Sequence, residues 1–189
     1  MTRGIIIHGM PERAGYMSHA RPSASNSHWI PWLQRELLIA GHDVQTPEMH
    51  NAFAPNYPVW RREFERHVVD EPMILVGHSC GAGFLVRWLS ENPTVAVERL
   101  ALVAPWLDPD RSDTTDFFDF TIDRKLPDRV EAFHIFHSAD DMASITTSVA
   151  VLLEAFPNAA QHAYSDMGHF CIEDLGTVEF PDLLACLTA

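Results

Sequence analysis

Apolar residues along this chain alternate between two rhythms. Short unbroken runs, Ile5-Ile6-Ile7, Met73-Ile74-Leu75-Val76 and residues 100–104, read as strands buried on both faces, the pattern of a parallel sheet covered by helices, and residues 132–137 read as a further strand. Between them apolar residues return every three or four positions: Trp29, Leu33, Leu37 and Ala40, then Trp60, Phe64 and Val68, then Phe84, Leu85 and Trp88. Such a stripe is one face of an amphipathic helix. Ser27 or Asn26 is placed to cap the first of these helices and Gly41 to end it. Residues 42–46 and 161–164 read as short strands, residues 144–156 and 178–187 as helices.

Strands followed by helices throughout predict an α/β chain, a three-layer α/β/α sandwich on a mostly parallel central sheet. Ligands of such sheets bind at the carboxyl ends of the strands. The 189 residues suffice for one domain, and no internal repeat divides them. Two stretches break the rhythm. Residues 10–27 are polar and rich in Ser, Pro, Arg and His, read as a flap over a site or as disordered chain. Residues 105–127 are acidic but carry Trp106, Phe117, Phe118 and Phe120, read as a small cap-like insertion.

The run Met73 to Val76 passes into Gly77-His78-Ser79-Cys80-Gly81 and then into the helical stripe. That is G-x-S-x-G at a strand-to-helix switch, a nucleophile elbow that lifts a serine hydroxyl above the sheet. A serine is a weak nucleophile at neutral pH and needs a base, which in turn needs a carboxylate to orient it. His169, in Gly168-His169-Phe170 just after the last strand, stands where a loop delivers an imidazole to the elbow. For the acid, Asp141 of Ser138-Ala139-Asp140-Asp141 is preferred; Asp140 suits a turn, and Asp108 is a third choice. The backbone N–H groups of Cys80 and Met10 are placed to receive an oxyanion. Cys80 itself reads as a small buried hydrophobe, and His8 and His78 as packing residues. Trp29 and Trp106 are candidate walls of a substrate pocket.

Charge narrows the partners. With 13 Lys and Arg against 26 Asp and Glu, the formal charge of −13 disfavours nucleic acid and anionic membrane and suits a neutral or cationic small molecule. No segment is long and apolar enough to span a bilayer, and the opening residues lack a cleavable leader pattern, so a cytoplasmic protein is expected. Three cysteines, Cys80, Cys171 and Cys186, form neither a disulfide framework nor a CxxC pair. The histidines and acids show no closely spaced ligand motif such as H-E-x-x-H, and no glycine-rich phosphate loop is present. No metal and no cofactor are expected, and the oligomeric state is left open.

Several of these pieces together resemble the small serine hydrolases of the retinoblastoma-binding-protein-9 and YdeN-like family, within the α/β-hydrolase superfamily. The resemblance is carried by Ile5-Ile6-Ile7-His8-Gly9, Ser27-His28-Trp29-Ile30-Pro31-Trp32-Leu33, Leu75-Val76-Gly77-His78-Ser79-Cys80-Gly81, Ser138-Ala139-Asp140-Asp141 and Gly168-His169-Phe170. It implies a reduced α/β-hydrolase sheet, a triad on Ser79, Asp141 and His169, and esterase-like activity. Two departures stand out: the loop at residues 10–24 is longer than its family counterpart, and Met142-Ala143-Ser144-Ile145 replaces the usual Pro- and Val-containing stretch after the acid. A rival reading keeps the fold but makes the protein a binding module.

Overall fold

The computed structural model describes residues 2–68 and 72–189. Among these residues six strands, β1 (Arg3–Ile7), β2 (Asp43–Gln45), β3 (Met73–His78), β4 (Val97–Val103), β5 (Val130–Ser138) and β6 (Ala160–Tyr164), form one sheet in the order β2-β1-β3-β4-β5-β6. Every pairing is parallel, so the mostly parallel sheet expected from the sequence is wholly so. β1 lies against the elbow strand with Ile5 opposite Leu75 and Ile6 opposite Val76. All six residues of β3 are buried, as a central strand requires.

Among the described residues there are seven helices: α1 (Arg13–Tyr16), α2 (Ile30–Ile39), α3 (Tyr57–Glu65), α4 (Cys80–Glu91), α5 (Ala143–Ala155), α6 (Ile172–Leu175) and α7 (Pro181–Thr188). Neighbouring positions on a strand face opposite ways, and β5 uses this. Phe133 packs on Phe156 at the end of α5, whereas Phe136 packs on Phe180 at the start of α7. The two helices therefore lie on opposite faces, which makes the three layers. No described helix is long and apolar enough to cross a membrane.

Two helix ends follow local chemistry. The Asn56 side chain accepts the Val59 N–H at 3.2 Å to cap α3, and Gly41, at φ 93°, turns the chain out of α2. At the start of α2, however, neither Ser27 nor Asn26 is the side-chain cap. Trp29 occupies the cap position, while the Ser27 hydroxyl donates to the Ser23 carbonyl and the Asn26 amide to the Ser23 hydroxyl. The polar cluster closes its own 3₁₀ turn at Ala24–Asn26 instead.

The two stretches that broke the sequence rhythm are both folded. Residues 10–27 contain α1 and that turn, and are tied to the body by the Ser25 N–H on Glu48 Oε2 at 2.8 Å and the Asn51 N–H on the Tyr16 hydroxyl at 3.2 Å. Residues 105–127, read as a cap-like insertion, send an aromatic ring inward. Phe117 is fully buried, edge-on to Trp60 at 5.1 Å and beside Phe84 of α4. Arg87 of α4 donates to the carbonyls of Asp116 and Phe117 while its guanidinium lies 3.6 Å over the Tyr57 ring. Phe117 completes the core between α3 and α4, because an apolar ring gains more from burial there than from standing over open solvent.

Candidate active site

Ser79 stands between β3 and α4 at φ 54°, ψ −119°, a backbone conformation costing on the order of 1–3 kcal/mol for a non-glycine residue. Its backbone is held from both sides. The Ser79 N–H donates to the Val103 carbonyl at 2.9 Å, and its carbonyl accepts from Ala82, Gly83 and Trp106. The flanking glycines are forced by this turn: a side chain on Gly77 would stand 2.5 Å from the Ala82 Cα, and one on Gly81 would run into the carbonyls of Ile7 and His8. α4 can start this close to β1 only where Cβ atoms are absent.

The two other residues of the expected triad meet at the end of the sheet. His169 Nδ1 lies 3.0 Å from both Asp141 oxygens, and the Asp141 side chain is almost wholly buried at 1% exposure. Asp141 also accepts the N–H of Met142 at 2.7 Å. Ser79 and His169 line the same cleft. Among the described residues, the Ser79 hydroxyl makes no hydrogen bond, to His169 or to any other group; such contacts often tighten only when substrate is bound.

What aims His169 is a set of braces that the sequence reading did not assign. The chain kinks on either side of it, with Gly168 at φ 47° and Phe170 at φ 57°. Asp140 takes the Gly168 N–H at 2.9 Å and the Ser138 hydroxyl, whose oxygen in turn takes the Met167 N–H. Asp174, in α6, takes the N–H of His169 at 2.9 Å and of Cys171 at 3.2 Å. Beneath the loop, His78 Nε2–H donates to the His169 carbonyl at 2.8 Å. Complete burial holds His78 well below the usual histidine pKa, with the nearby His169 acting in the same direction, so it is a neutral donor. An acidic residue three positions after Cys171 was a sequence signal for a helix start, and with it for α6.

The competing acids have other work. Asp108, at φ 47° and 3% exposed, spends its carboxylate on the N–H groups of Ser112, Asp113 and Thr114 and on the Thr114 hydroxyl. Asp140 is engaged as described. Only Asp141 of the three touches the imidazole.

The N–H groups of Cys80 and Met10 have no acceptor among the described residues; Cys80 directly follows the serine, and Met10 lines the same cleft. Cys80 N–H opens α4, and Met10 follows Gly9, where a Cβ would sit 3.6 Å from Ser79 Oγ. Two unpaired donors at a helix start and a neighbouring turn suit a developing negative charge. His8 shapes that turn: Nδ1–H donates to the Gly9 carbonyl at 2.7 Å, and Nε2 accepts the Met49 N–H at 2.9 Å. Burial lowers its pKa and keeps it neutral, so its 3.8 Å approach to Glu48 is not an ion pair. The Cys80 thiol is fully buried, which raises its pKa well above the ordinary value and removes it as a nucleophile.

The cleft has a volume of about 980 Å³. Trp29 and Trp106, expected as its walls, are core residues. Trp29 is fully buried, edge-on to His78 and Phe180, and Trp106 is 5% exposed against Phe118. A large ring at the root of a loop gains more by closing the core than by lining a mouth. The apolar wall is formed instead by Met10, Tyr16, Trp32, Ile172 and Val178. Glu12, Glu48 and Glu173 line it together with Arg21, giving an acidic balance.

Residues 18–189 match the protein family described as serine hydrolase. No curated protein sequence matches the chain. Among solved structures, the ydeN gene product of B. subtilis superimposes with a TM-score of 0.80 at 25% identity, covering 100% of this chain and 97% of its own. Est1E from Butyrivibrio proteoclasticus, solved with ferulic acid bound, gives 0.63 at 13% identity over 100% and 87% of the two chains. The methylesterase MES16 from Arabidopsis gives 0.64 at 14% identity over 100% and 99%. At such identities the last two share the fold.

Proposed function

This chain belongs to the serine hydrolase family, and on that footing we propose that it cleaves small carboxylic esters through an acyl-enzyme on Ser79. The observation that carries the reading is the placement of the His169 imidazole, 3.0 Å from both Asp141 oxygens and in one cleft with Ser79. In this mechanism His169 Nε2 takes the serine proton as Oγ bonds to the ester carbonyl carbon, and Asp141 stabilises the imidazolium. The carbonyl oxygen, now an anion, is received by the N–H groups of Cys80 and Met10. The intermediate collapses, His169 returns the proton to the departing alcohol, and the acyl group stays on Ser79. Water, deprotonated by the same imidazole, releases the acid and regenerates the serine.

The cleft supports a substrate class. Its apolar wall suits a short acyl chain or an aromatic ring, and its acidic balance disfavours anions. A neutral ester is therefore expected to exceed a hemiester of a dicarboxylic acid of equal length by about 10-fold or more in kcat/KM at low salt, with the gap shrinking as salt is added. A gap that ignores salt would count against the electrostatic part of this reading. The three free thiols suit a reducing cytoplasm, where we place the protein.

The missing Ser79–His169 hydrogen bond favours one alternative, a hydrolase fold kept as a binding module. A fluorophosphonate probe separates the two, since it reacts only with an activated serine. Stoichiometric labelling of the native protein, lost in Ser79→Ala, is expected; folded protein that stays unlabelled would favour the binding module.

A further inference from the structure

Away from the cleft, the fold gathers a second set of reactive side chains. His134 on β5, His162 on β6 and Cys186 on α7 bring three ligand atoms within 4.8 Å of one another. His134 Nδ1 is 3.1 Å from His162 Nε2, and Cys186 Sγ is 3.6 Å from that same nitrogen. A tetrahedral zinc ion with Zn–N near 2.1 Å and Zn–S near 2.3 Å holds its ligand atoms about 3.4 Å apart for N and N and about 3.6 Å for N and S. Two edges of the triangle are already close to that size, and the third is no longer than 4.8 Å.

We infer that His134, His162 and Cys186 bind one divalent cation of borderline softness, with Zn²⁺ as its representative, and that the ion pins α7 to the β5–β6 edge of the sheet. The residues are separate from the chemistry at Ser79: His134 lies four residues, on the order of 13 Å, before the end of β5. The His162 ring is fixed in orientation by Phe136, stacked at 4.1 Å and 7°. Partial burial lowers the pKa of both histidines, which keeps their lone pairs free of protons near neutrality. Burial raises the Cys186 thiol, so binding breaks the S–H bond, sends the proton to solvent and forms the sulfur–metal bond. Arg99 is the opposing charge, but it is turned to the carbonyls of Cys186 and Ala189 at the end of α7. Asp182, one turn before Cys186, offsets it. All three ligands are partly exposed, which leaves the ion a path in and room for water as a fourth ligand.

A second group, His28, Cys171 and Glu173, meets the same distance criterion but is less suited. His28 Nδ1 already accepts the Ile172 N–H at 3.1 Å, and the Glu173 side chain is 77% exposed. It supplies the control for the test.

The protein, reduced and stripped of metal, is titrated with Co²⁺ while the near-ultraviolet sulfur-to-cobalt charge-transfer band is followed. One equivalent is expected to saturate the band, and Zn²⁺ to displace it and raise the melting temperature. The band is expected to vanish in Cys186→Ser and persist in Cys171→Ser. His162→Gln is expected to weaken Co²⁺ binding by more than the ~10–100-fold typical of losing an outer-shell partner. Cys186→Ser is nearly isosteric, and circular dichroism establishes that it is folded. Absence of the band at stoichiometric cobalt overturns the inference. So does a band that survives Cys186→Ser or disappears in Cys171→Ser, or a melting temperature that Zn²⁺ leaves unmoved.

Discussion

Replacing Ser79 with alanine is expected to lower kcat on p-nitrophenyl acetate by about 10⁴–10⁶-fold, the range in which a nucleophile within a cooperating triad falls. The protein should remain folded. The Ser79 side chain makes no hydrogen bond among the described residues, and alanine meets the same backbone strain at φ 54°. Its melting temperature is expected to stay within about 2–4 °C of the parent, the shift that ~1 kcal/mol makes in a chain of this size. The pairing of the two measurements matters: lost turnover with an unmoved melting curve assigns the loss to chemistry. Equal rates in parent and variant would remove Ser79 from the mechanism, whatever its geometry.

The second large effect is expected at Asp141. In Asp141→Asn the amide can present its NH₂ to His169 Nδ1, forcing the ring into the tautomer that carries its proton on Nε2, facing the serine. Such a ring cannot accept the serine proton, and kcat is expected to fall by about 10³–10⁴-fold. KM should change little, because Asp141 is buried behind the histidine and does not line the cleft. Asp108→Asn is the matched comparison. Its carboxylate serves three backbone N–H groups and a hydroxyl, so it is expected to cost about 1–3 kcal/mol of stability, read by urea unfolding, and to leave kcat within a few-fold. The reverse pattern, with kcat lost in Asp108→Asn and kept in Asp141→Asn, would move the acid to the preceding strand.

Both variants test a loop that is braced rather than merely present. Asp140, Asp174, Ser138 and His78 each hold a backbone group of the segment carrying His169. None of these roles was readable beforehand. A carboxylate accepting a backbone N–H 28 residues away leaves no periodic trace, and Asp140 is equally at home in an ordinary turn.

Chain order and local pattern by themselves determined the layered sheet, the elbow at Ser79 and the positions after β5 and β6 where Asp141 and His169 stand. Those features are written in short-range terms: a buried run, a glycine where a Cβ cannot fit, a loop directly after a strand. Only the tertiary structure decided what the apolar rings in loops do, and it took Trp29, Trp106 and Phe117 into the core and gave the cleft wall to residues 10–32 and 171–178. It likewise brought His134, His162 and Cys186 together although their spacing along the chain matches no ligand motif. The physical reason is common to both. Burial and ligand geometry depend on which strands are neighbours and which helix covers them, and adjacency in the sheet is a property of the whole chain rather than of any segment.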